Sequence, residues 1–196
     1  MCKMPTTETR IPPNGSTTQS LTIVSDRISG YEATAGNLFG GVVGSVLSRI
    51  LGAPGVGIPM DSIYSTAVIP WRLSRDRNPR RGEINGRRDS LAAELTTVQP
   101  LVIVALGDIS AYALFADRPF EQGEWRTWKA LGFSAPTFCT LHPREALWNH
   151  IDEGRFLADP RTKKRRMWDD WRAIADRYNN VRERGTSPDD GLEENR

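Results

Sequence analysis

The sequence predicts an α/β protein, a three-layer α/β/α domain around a central, mostly parallel, four-stranded sheet. Two observations carry this expectation. Apolar runs of strand length alternate with segments of helical pattern, the order expected when crossover helices cover both faces of a parallel sheet. The length of 196 residues suits one well-packed domain and is too short for two of ordinary size plus polar ends.

Residues 1–19 are rich in Thr, Pro, Ser and Gly, lack periodicity, and are expected to be a flexible segment. The domain proper spans 20–183, and the acidic stretch 184–196 is expected to be a second flexible end. Leu21 to Val24 reads as the first strand. Val42 to Leu51 places Val43, Val46, Leu47, Ile50 and Leu51 on one side of a helix that ends near Gly52. Ile63 to Ile69 is a second strand stopped by Pro70, followed by a helix over Glu83 to Thr97 that breaks before Pro100. Leu101 to Leu106 is the best buried-strand candidate, and Asp108 suits the N-cap of a short helix from Ile109 to Phe115. Thr137 to Leu141 is the fourth strand, and Arg165 to Arg182 is a terminal helix with Trp168, Trp171, Ile174 and Ala175 on one stripe.

Charge is distributed unevenly although the formal net charge is only +2. Arg72, Arg75, Arg77, Arg80, Arg81, Arg87 and Arg88 crowd one stretch, and Arg161, Lys163, Lys164, Arg165 and Arg166 crowd another. Such clusters are compatible with phosphate contacts, although a run of this kind is usually a solvated face. Two cysteines, Cys2 and Cys139, imply no disulfide framework and exclude a four-cysteine zinc or iron-sulfur site within one chain. The apolar runs are far below membrane-spanning length and the start has no hydrophobic signal core, so a cytoplasmic protein without a membrane partner is expected.

In open parallel sheets the ligand site forms at the carboxyl ends of the strands. That rule selects Ser25-Asp26, Pro70-Trp71, Gly107-Asp108 and His142-Pro143. A lone strand-end histidine is more often structural than catalytic, so His142 gains meaning only from its companions.

Those companions resemble the uracil-DNA glycosylase superfamily, especially the branch whose members usually carry an iron-sulfur cluster. The branch's strand followed by Gly-Glu-Ala-Pro-Gly is matched in place by Ser25-Asp26-Arg27-Ile28-Ser29, and its Gly-x-Pro-Phe-x-Gly by Gly36 through Gly41. Tyr-Ile-Thr-Asn, leading into a Pro-rich basic loop, is echoed by Tyr64-Ser65-Thr66-Ala67 and by Pro70-Trp71-Arg72 through Asn78-Pro79. Pro-Lys-Val-Ile-Val-Ala-Leu-Gly corresponds to Pro100 through Gly107, His-Pro-Ser to His142-Pro143-Arg144, and the closing helix to Met167 through Trp171. The likeness covers roughly residues 21–175.

The resemblance implies a DNA substrate and a role for each matched residue. Asp26 falls where the family positions a water and stabilises the cation-like sugar, and His142 where it donates a hydrogen bond to the departing base. Phe39 matches the aromatic that stacks on a flipped base. Arg144 replaces a serine and would bind a phosphate, Leu147 lies where it would wedge into the duplex, and Arg72 and Arg75 would add DNA contacts. Ala67 replaces the asparagine that reads the uracil edge, which removes the contact separating uracil from cytosine. The cluster cysteines are missing, Trp71 stands near one of their places, and no cofactor or metal is expected.

Three readings follow. In the first, a monomeric, monofunctional DNA glycosylase excises a noncanonical base, with Gly40, Gly41 and Ala67 making room for a modified pyrimidine. A hydroxymethylated or glucosylated base, as in some viral genomes, would make the protein a defence factor. In the second, uracil is read through backbone groups or Thr66. In the third, the chain is a catalytically inactive DNA-binding or protein-binding descendant of the fold.

Overall fold

The computed structural model describes residues 10–18, 20–116, 121–146 and 163–184. In chain order these form β1 (Asn14–Gly15), β2 (Leu21–Ile28), α1 (Gly30–Ala35), α2 (Val42–Leu51), β3 (Ile63–Arg72), α3 (Arg81–Val98), β4 (Val102–Leu106), α4 (Gly107–Phe115), β5 (Glu124–Ala130), β6 (Phe133–Thr140) and α5 (Lys163–Arg184). The strands make one six-stranded sheet in the order β1-β3-β2-β4-β6-β5. Strands β3, β2, β4 and β6 are parallel neighbours. The expected parallel centre is present, and the count of four strands is corrected to six by an antiparallel strand on each edge.

Each edge strand escaped the sequence pattern for a physical reason. β5 puts Trp125 against Phe138 on one face, with ring centroids 4.8 Å apart, and buries Trp128 on the other. Its apolar residues therefore mark neither a one-faced alternation nor a continuous run. The hairpin to β6 turns on Leu131 and Gly132, with φ values of 52° and 79°. That is the left-handed pair a two-residue hairpin needs, but leucine is an unusual residue to supply half of it. β1 is only a two-residue bridge to Tyr64 and Ser65. It corrects the reading of the whole N-terminal stretch as flexible: Ile11 is buried, and its N–H donates to the Pro70 carbonyl at 2.8 Å.

The two sheet faces bury separate cores. Leu21, Ile23, Val102, Val104 and Leu106 pack beneath Leu47 and Leu51 of α2 and Trp171, Ile174 and Tyr178 of α5. Val24, Val68, Ile103 and Ala105 pack against Leu91 and Leu95 of α3 and Ala111 and Leu114 of α4. β4, central and covered on both sides, is wholly buried, as its unbroken apolar run requires. Among the described residues no helix is long and apolar enough to cross a membrane.

Three element boundaries differ from expectation. β2 continues to Ile28, so Asp26 sits within a strand end. β3 passes through Pro70 to Arg72, because its pairing with β2 shifts register between Arg27 and Ile28. α4 begins at Gly107, which places Asp108 inside the first turn, where its Oδ1 accepts the Ile109 N–H at 2.9 Å.

One close approach fixes where α2 starts. A Cβ at Gly44 would stand 1.7 Å from the Phe39 carbonyl oxygen. Gly44→Ala is therefore expected to cost about 1–3 kcal/mol through forced backbone displacement, despite alanine's better helix propensity. Denaturant unfolding of the two proteins checks this, and unchanged stability would contradict the packing described.

Candidate active site

The carboxyl ends of β2, β4 and β6 open onto a cavity of about 280 Å³ lined by Asp26, Asn78, Gly107, His142, Arg144 and Glu145, among others. This is near the lower end of the roughly 300–1,000 Å³ typical of small-molecule sites and suits a single heterocycle. Parallel pairing creates it: β2 and β6 both flank β4, so residues from opposite ends of the chain meet at one rim.

His142 follows β6 and is 7% exposed. Its position is set from below, where Thr140 Oγ1 donates to the buried Asp170 carboxylate on α5 at 2.6 Å, and Gln122 donates to the same oxygen at 2.9 Å. Burial lowers the imidazole pKa from 6.5 to about 3; Asp26 opposes the shift, and Arg144 and Arg27 reinforce it. The ring is therefore neutral at physiological pH. The backbone N–H of Arg144 donates to Nδ1 at 3.2 Å, so the ring proton resides on Nε2. That N–H points to the Ser25 hydroxyl, 3.1 Å away. A ligand carbonyl displacing Ser25 would meet a neutral donor oriented from both sides.

Asp26 is 6% exposed and lies 3.7 Å from His142 Nε2, close but beyond hydrogen-bond length. Its Oδ1 accepts the Arg27 N–H at 2.7 Å and also accepts a donor from the Arg144 guanidinium, while Arg27 Nη1 lies 3.7 Å from Oδ2. A buried carboxylate requires such compensation. The structure thus brings Asp26, His142 and Arg144 together, with the Arg144 guanidinium bonded to the carboxylate.

The remaining candidate residues are more dispersed. Phe39 is half-buried in a left-handed conformation, φ 62°, and is clamped by Glu32, whose Oε1 accepts its N–H at 2.8 Å. It packs on the small cluster containing Ala67. Ala67 is in register with Ser25 and shares its face, whereas Thr66 is in register with Val24 and faces the other core. Thr66, Ala67 and Phe39 are not among the residues that line the cavity. Gly40 is required by its own turn, since a Cβ there would meet that of Ala35 at 2.5 Å, so its smallness has a cause other than pocket room. Arg72 forks onto Asp76 at 2.9 and 3.1 Å, while Arg75 is exposed in the loop after β3. Leu147 lies outside the described residues.

Two positioning groups were missed in the sequence. Glu32 was legible, because Ser29-x-x-Glu32 is a capping box and the structure forms it at α1. Arg27 carried no such signal, since its partners lie about fifty residues away in sequence.

The sequence profile of the uracil DNA glycosylase superfamily matches residues 12–172. The chain belongs to this superfamily. A type-4 uracil-DNA glycosylase of Saccharolobus solfataricus is 25% identical over 146 residues, covering 71% of this chain and 67% of the relative. One from Pyrobaculum aerophilum is 27% identical over 156 residues, covering 76% and 79%.

An iron-sulfur cluster of the kind this branch usually carries does not fit this superfamily member. Its two cysteines cannot supply four thiolates, and Cys139 is buried in the α3/α4 core. Trp71, near one expected ligand position, packs against that core under the Arg87 guanidinium, 5.6 Å from the ring centroid. Among the described residues no three His, Cys, Asp or Glu side chains are grouped to hold a metal ion.

The neutral, buried His142 has a consequence for acid stability. Unfolded, the imidazole takes a proton below about 6.5; folded, it resists until about 3. Its contribution is therefore complete above pH 6.5 and is lost as pH falls toward 3. Unfolding free energy is expected to fall by up to about 3 kcal/mol from this residue between pH 7 and pH 4. Denaturant titration at both pH values, with a smaller loss in His142→Asn, checks it; equal losses would contradict a buried neutral ring.

Proposed function

We propose that the protein is a monofunctional DNA glycosylase that flips out a noncanonical pyrimidine and excises it by hydrolysis. The observation that carries this reading is the convergence of Asp26 and the Nε2–H of His142 on one cavity at the strand ends. The relatives named as uracil-DNA glycosylases support the reaction class.

The chemistry follows from charge. As the C1′–N1 bond breaks, its electron pair leaves with the base, and the neutral His142 donor offsets the developing charge on a base oxygen. The sugar becomes cation-like, Asp26 stabilises it, and a water oriented by the carboxylate adds to C1′, its lost proton passing by way of the carboxylate and solvent to the anionic base. The products are a free base and an abasic site. Arg144 would exchange Asp26 for a DNA phosphate as the complex forms, which leaves the carboxylate to the water.

Substrate choice rests on Ala67. The resemblance puts Ala67 at the base-reading position, and its methyl cannot pair with the uracil edge. This favours a modified pyrimidine over plain uracil, and modified viral DNA as a substrate would give the activity a defensive role. Uracil is the second reading, favoured by the relatives' names.

A panel of oligonucleotides carrying uracil, cytosine, hydroxymethylcytosine or glucosylated hydroxymethylcytosine, treated with protein and then alkali, is expected to break only at a modified base. Breaks confined to uracil would establish the second reading. Asp26→Asn should reduce the single-turnover rate at least about a hundredfold, and full activity in that variant would exclude the mechanism. Removing the Arg144 side chain should lower the slope of log affinity against log salt by about 0.9, the value for one phosphate contact. An unchanged slope would keep Arg144 on Asp26 in the complex.

A further inference from the structure

Arg27 occupies the alanine position of the Gly-Glu-Ala-Pro-Gly pattern and has no part in the bond-breaking step above. Its side chain is only 10% exposed, so its donors must be used. Nε donates to the Arg77 carbonyl at 2.9 Å and Nη2 to the Asp76 carbonyl at 2.7 Å, while Nη1 faces Asp26. A single planar group therefore joins the carboxylate to two successive backbone oxygens of the loop 73–78. That loop needs holding, because Arg75 and Asp76 both adopt left-handed backbone, φ 55° and 52°, unfavourable for L-residues. The Asp76 carboxylate adds a second tie, accepting the Arg72 guanidinium fork.

The segment is held at its other flank as well. Arg87 stacks on Trp71 and donates to the Val68 carbonyl at 3.2 Å. Arginine contacts thus secure both flanks of the stretch where the resemblance expects a cluster ligand.

We propose that Arg27 is a positioning residue whose fork locks the basic loop 73–78 to the Asp26 strand end, so that Arg75 is presented to DNA in fixed register with the carboxylate. The proposal rests on the reading of Asp26 as the reacting carboxylate. A lysine would keep the charge beside Asp26 but cannot span two carbonyls with a planar fork.

The test compares the wild-type chain with Arg27→Met and Arg27→Lys, using hydrogen exchange at the Asp76 and Arg77 amides, which bond to Leu73 and Ser74. Both variants should exchange these amides about tenfold faster or more, with α3 and α4 amides unchanged. On a cleavable modified-base duplex both should show a raised KM, and a kcat lowered by as much as about a hundredfold through misplacement of the carboxylate. Wild-type exchange in Arg27→Met, or wild-type exchange and KM in Arg27→Lys, would overturn the proposal. If Arg27→Met does not fold, the Lys variant decides. An inactive wild-type protein would overturn the glycosylase reading, whereas the exchange comparison still decides the tether.

Discussion

A carboxylate buried at the end of a parallel sheet must be compensated, and compensation of Asp26 organises everything around it. Arg27 and Arg144 approach from opposite ends of the chain, and each brings its own segment: the loop after β3 with one, the turn after β6 with the other. These same cations, with burial, keep the neighbouring imidazole neutral against the pull of Asp26. The site therefore holds one anion and one neutral donor side by side. That is the asymmetry required to separate a cation-like sugar from an anion-like base.

Much of the fold was legible because β2, β3, β4 and β6 are strongly apolar, and because helix-patterned segments between them enforce parallel order. What escaped depended on pairing across long sequence distances. β5 divides its tryptophans between two faces, and its hairpin uses a leucine in left-handed backbone. Asp26 and His142 were selected by the strand-end rule and given roles only by the motif resemblance, and Phe39 was visible only through a matching motif. The Ser25, Arg144 and Arg27 contacts with them became visible only when register and strand ends were known.

Within the superfamily this chain departs at linked places. By the motif resemblance, Ala67 falls at the position of the uracil-reading asparagine, Arg27 at the alanine of the first motif, Arg144 at the serine after His-Pro, and Trp71 near a cluster cysteine. Two of these changes add cations to a site whose carboxylate is already buried. A third leaves the segment around Trp71 to be held by packing and arginine stacking. They gather around the buried Asp26 carboxylate and the neutral His142 ring.

The backbone amide at position 144, rather than the side chain, fixes the His142 tautomer. The tautomer is consequently indifferent to side-chain identity there, whereas the compensation of Asp26 is not, so one residue serves the two reacting-site candidates through separate atoms.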